Sequence, residues 1–150
     1  PSYFWYLTFL SMVIFILTPG NLFENYIAEE MAKDSSLTRA EAEAIVLTYS
    51  TRPGTSEHQT GLAVDMATDA SFSTDFQYSE HYQWLEENAW KFGFILSFPA
   101  DKVQITGIQF EPWHWRYVGR YHAKKIHDLG VCLDEYIQIL EQAAAAEEGN

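Results

Sequence analysis

Cysteine is nearly absent from this chain. One residue, Cys132, serves 150 positions, so no intramolecular disulfide can form and a closed thiolate metal site is excluded, while the compartment is left open. Cys132 lies in a segment linking two helical patterns, far from the histidines in sequence, and reads as a buried apolar filler rather than a nucleophile. Positive charge is scarce as well. Lys and Arg number 9 against 21 Asp and Glu, a formal net charge of −12. Such a surface repels a phosphate backbone and no basic run offsets it, which argues against a nucleic-acid partner and against a polybasic membrane patch. No arginine precedes Arg39, residues 1–19 carry no charge, and the chain has neither an internal repeat nor an interdomain linker.

What remains is a globular composition, 47% apolar and 20% charged, at a length that makes one domain with a substantial core. Residues 1–20 stand apart from a domain expected over 21–150. Their apolar run is borderline for a membrane span, which needs about 20 residues, and no basic stretch precedes it as a signal peptide requires. Three readings stay open: a membrane anchor or signal remnant, buried β-structure, or a stretch foreign to the native fold.

From there the chain alternates between helical and strand signals. Asn21 is placed to cap a helix carrying Phe23, Ile27 and Met31, and Thr38 with Glu41 forms a capping box for a second over Ala42, Ile45 and Val46. Pro53 and Gly54 make a turn that runs through Ser56 and His58 into a strand alternating at Leu62, Val64 and Met66. Residues 68–78, rich in Ser, Thr and Asp, read as a surface loop. Ser79 caps a helix ended by Gly93, and a strand over 94–98 is stopped by Pro99. Residues 101–106 are expected to turn into another strand, and 113–118 form a further one. A helix over about 120–129 stops at Gly130, and Asp134 is expected to cap the last. The class that follows is α+β, a small antiparallel sheet with helices packed around it.

Five histidines are present, and two differ from the rest by context. His58 stands on a loop seven residues before Asp65, and His114 closes the stretch Glu111-Pro112-Trp113-His114 at a strand entrance. Two histidines and a carboxylate, with a fourth position left to water, is the ligand pattern of a catalytic zinc. Glu111, held close without binding, could then take a proton from the water and pass it to a leaving amine. Taken singly, each of these residues also suits a structural role. His81, His122 and His127 read as surface or core-satisfied groups.

In combination, Ser56-x-His58-x-x-Gly61-x-Ala63-x-Asp65 followed by Glu111-Pro112-Trp113-His114 resembles the zinc D-alanyl-D-alanine carboxypeptidases of the VanY type. These share a group with lysostaphin-type and dipeptidase enzymes and with the hedgehog signalling fold. The likeness runs from about Asn21 to Ile139 and includes Trp84-Leu85, Gly93-Phe94-Ile95-Leu96, Ile105-Thr106-Gly107 and Trp115-Arg116-Tyr117-Val118-Gly119 in the family's order. The resemblance implies His58, Asp65 and His114 as zinc ligands and Glu111 as general base and then acid. It implies Ser56 as a substrate-holding group and Trp113 as a wall of the site or packed beside it, with a core position open to both tryptophans and expected for Trp115. The implied reaction is hydrolysis of the terminal D-alanine amide of a peptidoglycan stem peptide, by an enzyme of the cell envelope or the extracellular space.

Two departures accompany it. The family carries a Ser-Gly-Tyr-Arg-Ser segment ahead of the first helix, and its arginine would grip the substrate's terminal carboxylate as a bidentate partner. Here that place reads Phe15-Ile16-Leu17-Thr18-Pro19-Gly20-Asn21, as if the start had been altered. The family's Arg-Tyr-Pro after the Gly-Phe-Ile-Leu strand is Ser97-Phe98-Pro99. Arg52, which flanks the Ser56 loop, is the candidate substitute. The alternative expectation is therefore a zinc-binding homologue with impaired turnover.

Overall fold

The computed structural model describes residues 22–68 and 72–149, which fall into two compact units divided between Val46 and Leu47. The apolar run of residues 1–19 and the expected cap at Asn21 lie outside the described residues. Among those described, no helix is long and apolar enough to cross a membrane.

The first unit is a helical hairpin of α1 (Leu22–Lys33) and α2 (Arg39–Val46). Asp34 turns the chain between them by accepting from the backbone N–H and hydroxyl of Ser36. The expected capping box is present: the Glu41 carboxylate accepts from the N–H and hydroxyl of Thr38, and the Glu41 N–H donates back to Thr38 Oγ1. Arg39 Nη2 donates to both oxygens of Glu24, at 2.8 and 2.6 Å, an exposed and solvent-screened pair.

The second unit is built on a three-stranded antiparallel sheet in the order β1 (Ala63–Asp65), β3 (His114–Tyr117), β2 (Phe94–Leu96). Asp65 lies directly opposite His114, and Leu96 opposite Trp115. Side chains alternate across a strand, so His114 and Arg116 share one face of β3 and Trp115 and Tyr117 the other. Trp115, 3% exposed, packs in the core with Phe76, Tyr82 and Ala89, flanked by Leu85, Leu96 and Phe110. On β2, Ile95 joins a second cluster with Ala123, Ile126 and Tyr136. These come from α3 (Glu80–Asn88, continued by a 3-10 turn at Ala89–Phe92), α5 (Arg120–Leu129) and α6 (Leu133–Glu148), with α4 (Val103–Thr106) between β2 and β3.

Gly93 is required where it stands. Its φ is +96°, and a Cβ there would lie 2.6 Å from the Tyr117 ring and 3.1 Å from the Arg120 nitrogen. It closes the α3 region and lets the chain enter β2 against β3.

Three local expectations are corrected. The stretch read as a surface loop over 68–78 contains a 3-10 turn at Thr74–Tyr78, capped by the Ser73 hydroxyl, which buries Phe76 against Tyr82. Its polar residues cap and face water while one aromatic anchors it. The strand expected after residues 101–106 does not form; Ala100–Lys102 and α4 are helical turns, stopped by Gly107 at φ +72°. The last helix is capped by Cys132 rather than Asp134, because Glu135 reaches back to accept the Cys132 N–H at 2.9 Å and is held by Lys102 at 3.0 Å. Cys132 itself is buried, as expected of an apolar filler.

Candidate metal centre

Ser56 begins the site. Its hydroxyl accepts the His58 N–H at 3.3 Å and so caps a 3-10 turn, Glu57–Thr60, ended by Gly61 in the left-handed region at φ +71°. That turn sends His58 back towards β1, where Nε2 lies 3.2 Å from Asp65 Oδ1. The pairing of Asp65 with His114 brings His114 Nδ1 to 3.2 Å from the same oxygen. Cross-strand neighbours on one face are close enough to share a ligand, which is how two residues 49 positions apart in number come together. Donor atoms of His58, Asp65 and His114 all lie within 4.8 Å of one another.

Asp65 Oδ1 is buried, faces both ring nitrogens, and makes no hydrogen bond of acceptable geometry with either. An orphaned carboxylate oxygen between two imidazole edges puts one potential donor atom from each of three residues around one space. Two nitrogens and one carboxylate oxygen, without thiolate, are a donor set that suits zinc with a position left open. The residues present therefore fit such an ion.

Glu111 is brought in by the turn that precedes β3. The His114 N–H donates to the Glu111 carbonyl at 3.1 Å, and the Trp115 indole N–H donates to the Pro112 carbonyl at 3.0 Å. The core tryptophan thus ties down the turn that carries the acid. Glu111 Oε2 stands 3.7 Å from His114 Nδ1, and the residue is 8% exposed.

The electrostatics separate the carboxylates. Burial pushes the Glu111 carboxyl up, and with Asp65 and Glu57 nearby the value reaches about 7 despite His114. Burial also pushes Asp65 upward, but His114 and His58 outweigh it and hold that carboxyl at about 2. Burial would lower His114, yet the two carboxylates flanking its ring raise it to about 9. One carboxylate is fixed as an anion, while the other can hold or release a proton near neutrality.

The other edge of the His114 ring meets a residue that sequence reasoning passed over. His114 Nε2 lies 3.0 Å from Glu57 Oε2, which also accepts from Ser97 Oγ at 2.7 Å. Arg116 stands 3.9 Å from Glu57 Oε1 and donates to Thr60 Oγ1 at 3.0 Å. The only sequence signal for Glu57 was its place inside the motif, between Ser56 and His58.

These groups open onto a pocket of about 540 Å³ lined by Ser56, Glu57, His58, Asp65, Glu111 and His114, with Phe98, Leu133 and Ile137 among its apolar walls. Thr51 and Thr55 line it as well, whereas Arg52 and Trp113 are not among its lining residues. Trp113 packs against the Trp115 cluster and Phe72, with ring centroids 6.3 Å apart in the latter pair. His122 pairs with the Tyr136 hydroxyl and His127 stacks on Trp90, so neither reaches the site.

A family model described as VanY, D-alanyl-D-alanine carboxypeptidase, matches residues 21–120. A D-alanyl-D-alanine carboxypeptidase of Enterococcus faecalis (strain ATCC 700802 / V583) is 48% identical over 116 residues, covering 77% of this chain and 41% of that protein. Among solved structures, VanYB in complex with D-alanine-D-alanine superposes with a TM-score of 0.67 at 48% identity, covering 78% of this chain and 62% of the other. A zinc(II) complex of a variant of the vancomycin resistance D,D-pentapeptidase VanY gives 0.63 at 47% identity, covering 77% and 62%. The chain thus spans less than half of the curated relative it matches.

Proposed function

The chain belongs to the VanY family of D-alanyl-D-alanine carboxypeptidases, and from that membership we propose that it is a zinc-dependent carboxypeptidase releasing D-alanine from the C-terminus of peptidoglycan stem peptides. The convergence of His58, Asp65 and His114 on one buried carboxylate oxygen carries the reading. With these three as ligands, zinc would supply Lewis-acid polarisation of the scissile carbonyl and a water of lowered pKa. Glu111 is the proton carrier: its carboxyl sits near 7 and beside the ligand set, so Oε2 can accept a proton and return it to the departing amine. Ser56, on the pocket wall, is placed to hold the substrate backbone while its lone pair caps the turn. The substrate puts the enzyme in the cell envelope or the extracellular space.

A second reading, zinc binding with impaired turnover, has an observation of its own: no Arg or Lys lines the pocket among the described residues. A free carboxylate entering between Glu57, Asp65, Glu111 and Asp134 has no guanidinium there to meet it. Arg52, on the same loop as the pocket-lining Thr51 and Thr55, remains the proposed substitute.

The test is release of D-alanine from a peptide ending in D-Ala-D-Ala, with zinc, after chelation, and after zinc is restored. Saturable release that follows the metal supports the carboxypeptidase. Bound zinc with release rising linearly to the highest substrate concentration supports the impaired form, and bound zinc with no release at all overturns the proposed activity. A companion peptide whose scissile bond joins an L- to a D-residue assigns the stereochemistry.

A further inference from the structure

The Glu57 carboxylate has no place among the donors that converge on the metal space, yet it is the most heavily engaged acid in the pocket. It contacts His114 from 57 positions away and Ser97 from 40, with Arg116 beyond its second oxygen. The two nitrogens of an imidazole point from different edges of the ring, so a group bonded to Nε2 cannot share an ion with Nδ1. Nδ1 is the nitrogen that faces Asp65. A carboxylate can only accept, so the 3.0 Å contact requires the Nε2 proton.

We propose that Glu57 is a positioning residue, whose carboxylate takes the Nε2–H of His114 and so commits Nδ1, as the lone-pair donor, to the metal. Glu57 is itself held from three directions. The 3-10 turn that it begins fixes its backbone, the Ser97 hydroxyl fixes Oε2, and Arg116 balances Oε1. The ring therefore cannot rotate to present Nε2 instead without breaking a bond in a 5% exposed environment. The site that results has unlike donors, Nε2 from His58 and Nδ1 from His114. The same turn carries both the His58 ligand and the residue that orients His114, so one short segment sets two of the three ligands. Partners of this kind raise ligand basicity and fix the tautomer.

This inference rests on the zinc site proposed above, and its test reads metal binding instead of turnover. In the full chain at pH 9.5, where proton competition for His114 no longer masks the effect, Glu57→Ala is expected to weaken zinc affinity about 10- to 100-fold in chelator-buffered titrations while the thermal transition stays cooperative. The melting-temperature gain on adding zinc should shrink, and the visible spectrum of the cobalt-substituted protein should change. Glu57→Gln, which keeps an acceptor, should recover part of the affinity, and Ser97→Ala should lose less than Glu57→Ala. A merely structural glutamate would lower the melting temperature equally with and without metal and leave affinity and spectrum alone; that result overturns the proposal. Where Glu57→Ala does not fold, unchanged zinc affinity in both Glu57→Gln and Ser97→Ala overturns it equally. Wild-type chain that takes up no zinc sinks the metal-site reading, and this inference with it, whereas equal binding by wild type and variants sinks this inference alone.

Discussion

Raising the pH from 7 to 9 is expected to tighten zinc binding by about 50-fold, half of a limiting factor of about 100, because zinc and a proton compete for His114 Nδ1. In the metal-free protein the His114 ring lies between Asp65 Oδ1 at 3.2 Å and Glu57 Oε2 at 3.0 Å, and the two carboxylates raise its pKa to about 9. At pH 7 the ring is therefore about two units below its pKa and carries both protons. Emptying Nδ1 for a ligand bond then costs about 2 × 1.36, or about 2.7 kcal/mol, a factor of about 100 in apparent affinity. Between pH 7 and 9 the logarithm of the zinc association constant should rise with a slope of about one and flatten above 9. An ordinary histidine, with a pKa near 6.5, would give a flat line over the same window. Zinc buffered by competing chelators, titrated at half-unit steps from pH 7 to 9.5, reads the slope directly. A flat profile from 7 to 9 would refute the account of His114 as a ring clamped between two anions.

The metal-free chain should show the opposite trend in stability. A folded-state pKa raised above its unfolded value contributes stability that is present below the unfolded pKa and lost as pH rises through the folded one. His114, raised to about 9, and Glu111, raised to about 7, both follow this sign, so chelated protein should melt at progressively lower temperature from pH 5 to 9. Asp65, lowered to about 2, adds stability above pH 4 that is lost only as the pH falls through 2. A melting temperature that rises from pH 5 to 9 after chelation would contradict this. Glu111→Gln is expected to lower kcat for D-alanine release by about 10²- to 10⁴-fold with zinc stoichiometry retained, and unchanged turnover would remove Glu111 from the chemistry. Trp115→Ala, emptying a site 3% exposed and freeing the Pro112 carbonyl, should cost about 3–5 kcal/mol in denaturant unfolding. Gly93→Ala should destabilise by about 1–3 kcal/mol from backbone strain, with more from the clash on Tyr117; a value under 0.5 would contradict the close approach.

Much of the fold was legible along the chain, because its parts obey local rules. The Thr38–Glu41 box, the stops at Gly93 and Gly130, and the alternation at 113–118 all depend on residues within a few positions of one another, and each appears where it was read. Phe76 was not legible. Of the three aromatics in the polar stretch over 68–78, Phe72, Phe76 and Tyr78, Phe76 becomes the buried anchor only once Tyr82 and Trp115 offer a slot. Cys132 was assigned its burial but not its capping role, which depends on Glu135 turning back under the pull of Lys102 from another element.

By itself the sequence determined the residue types of the candidate ligands, the order of the two motifs, and the family to which they point. Residue chemistry and spacing carry that information, and both are written in one dimension. Only the tertiary structure decided which atoms meet. The antiparallel register that sets Asp65 opposite His114 makes a shared ligand space out of two separate motifs. The same register turns Nδ1 towards Asp65 and leaves Nε2 to Glu57, a contact across 57 positions that no spacing rule contains. A hydrogen bond is made by direction as well as by type, and direction is fixed only when strand, turn and core close together.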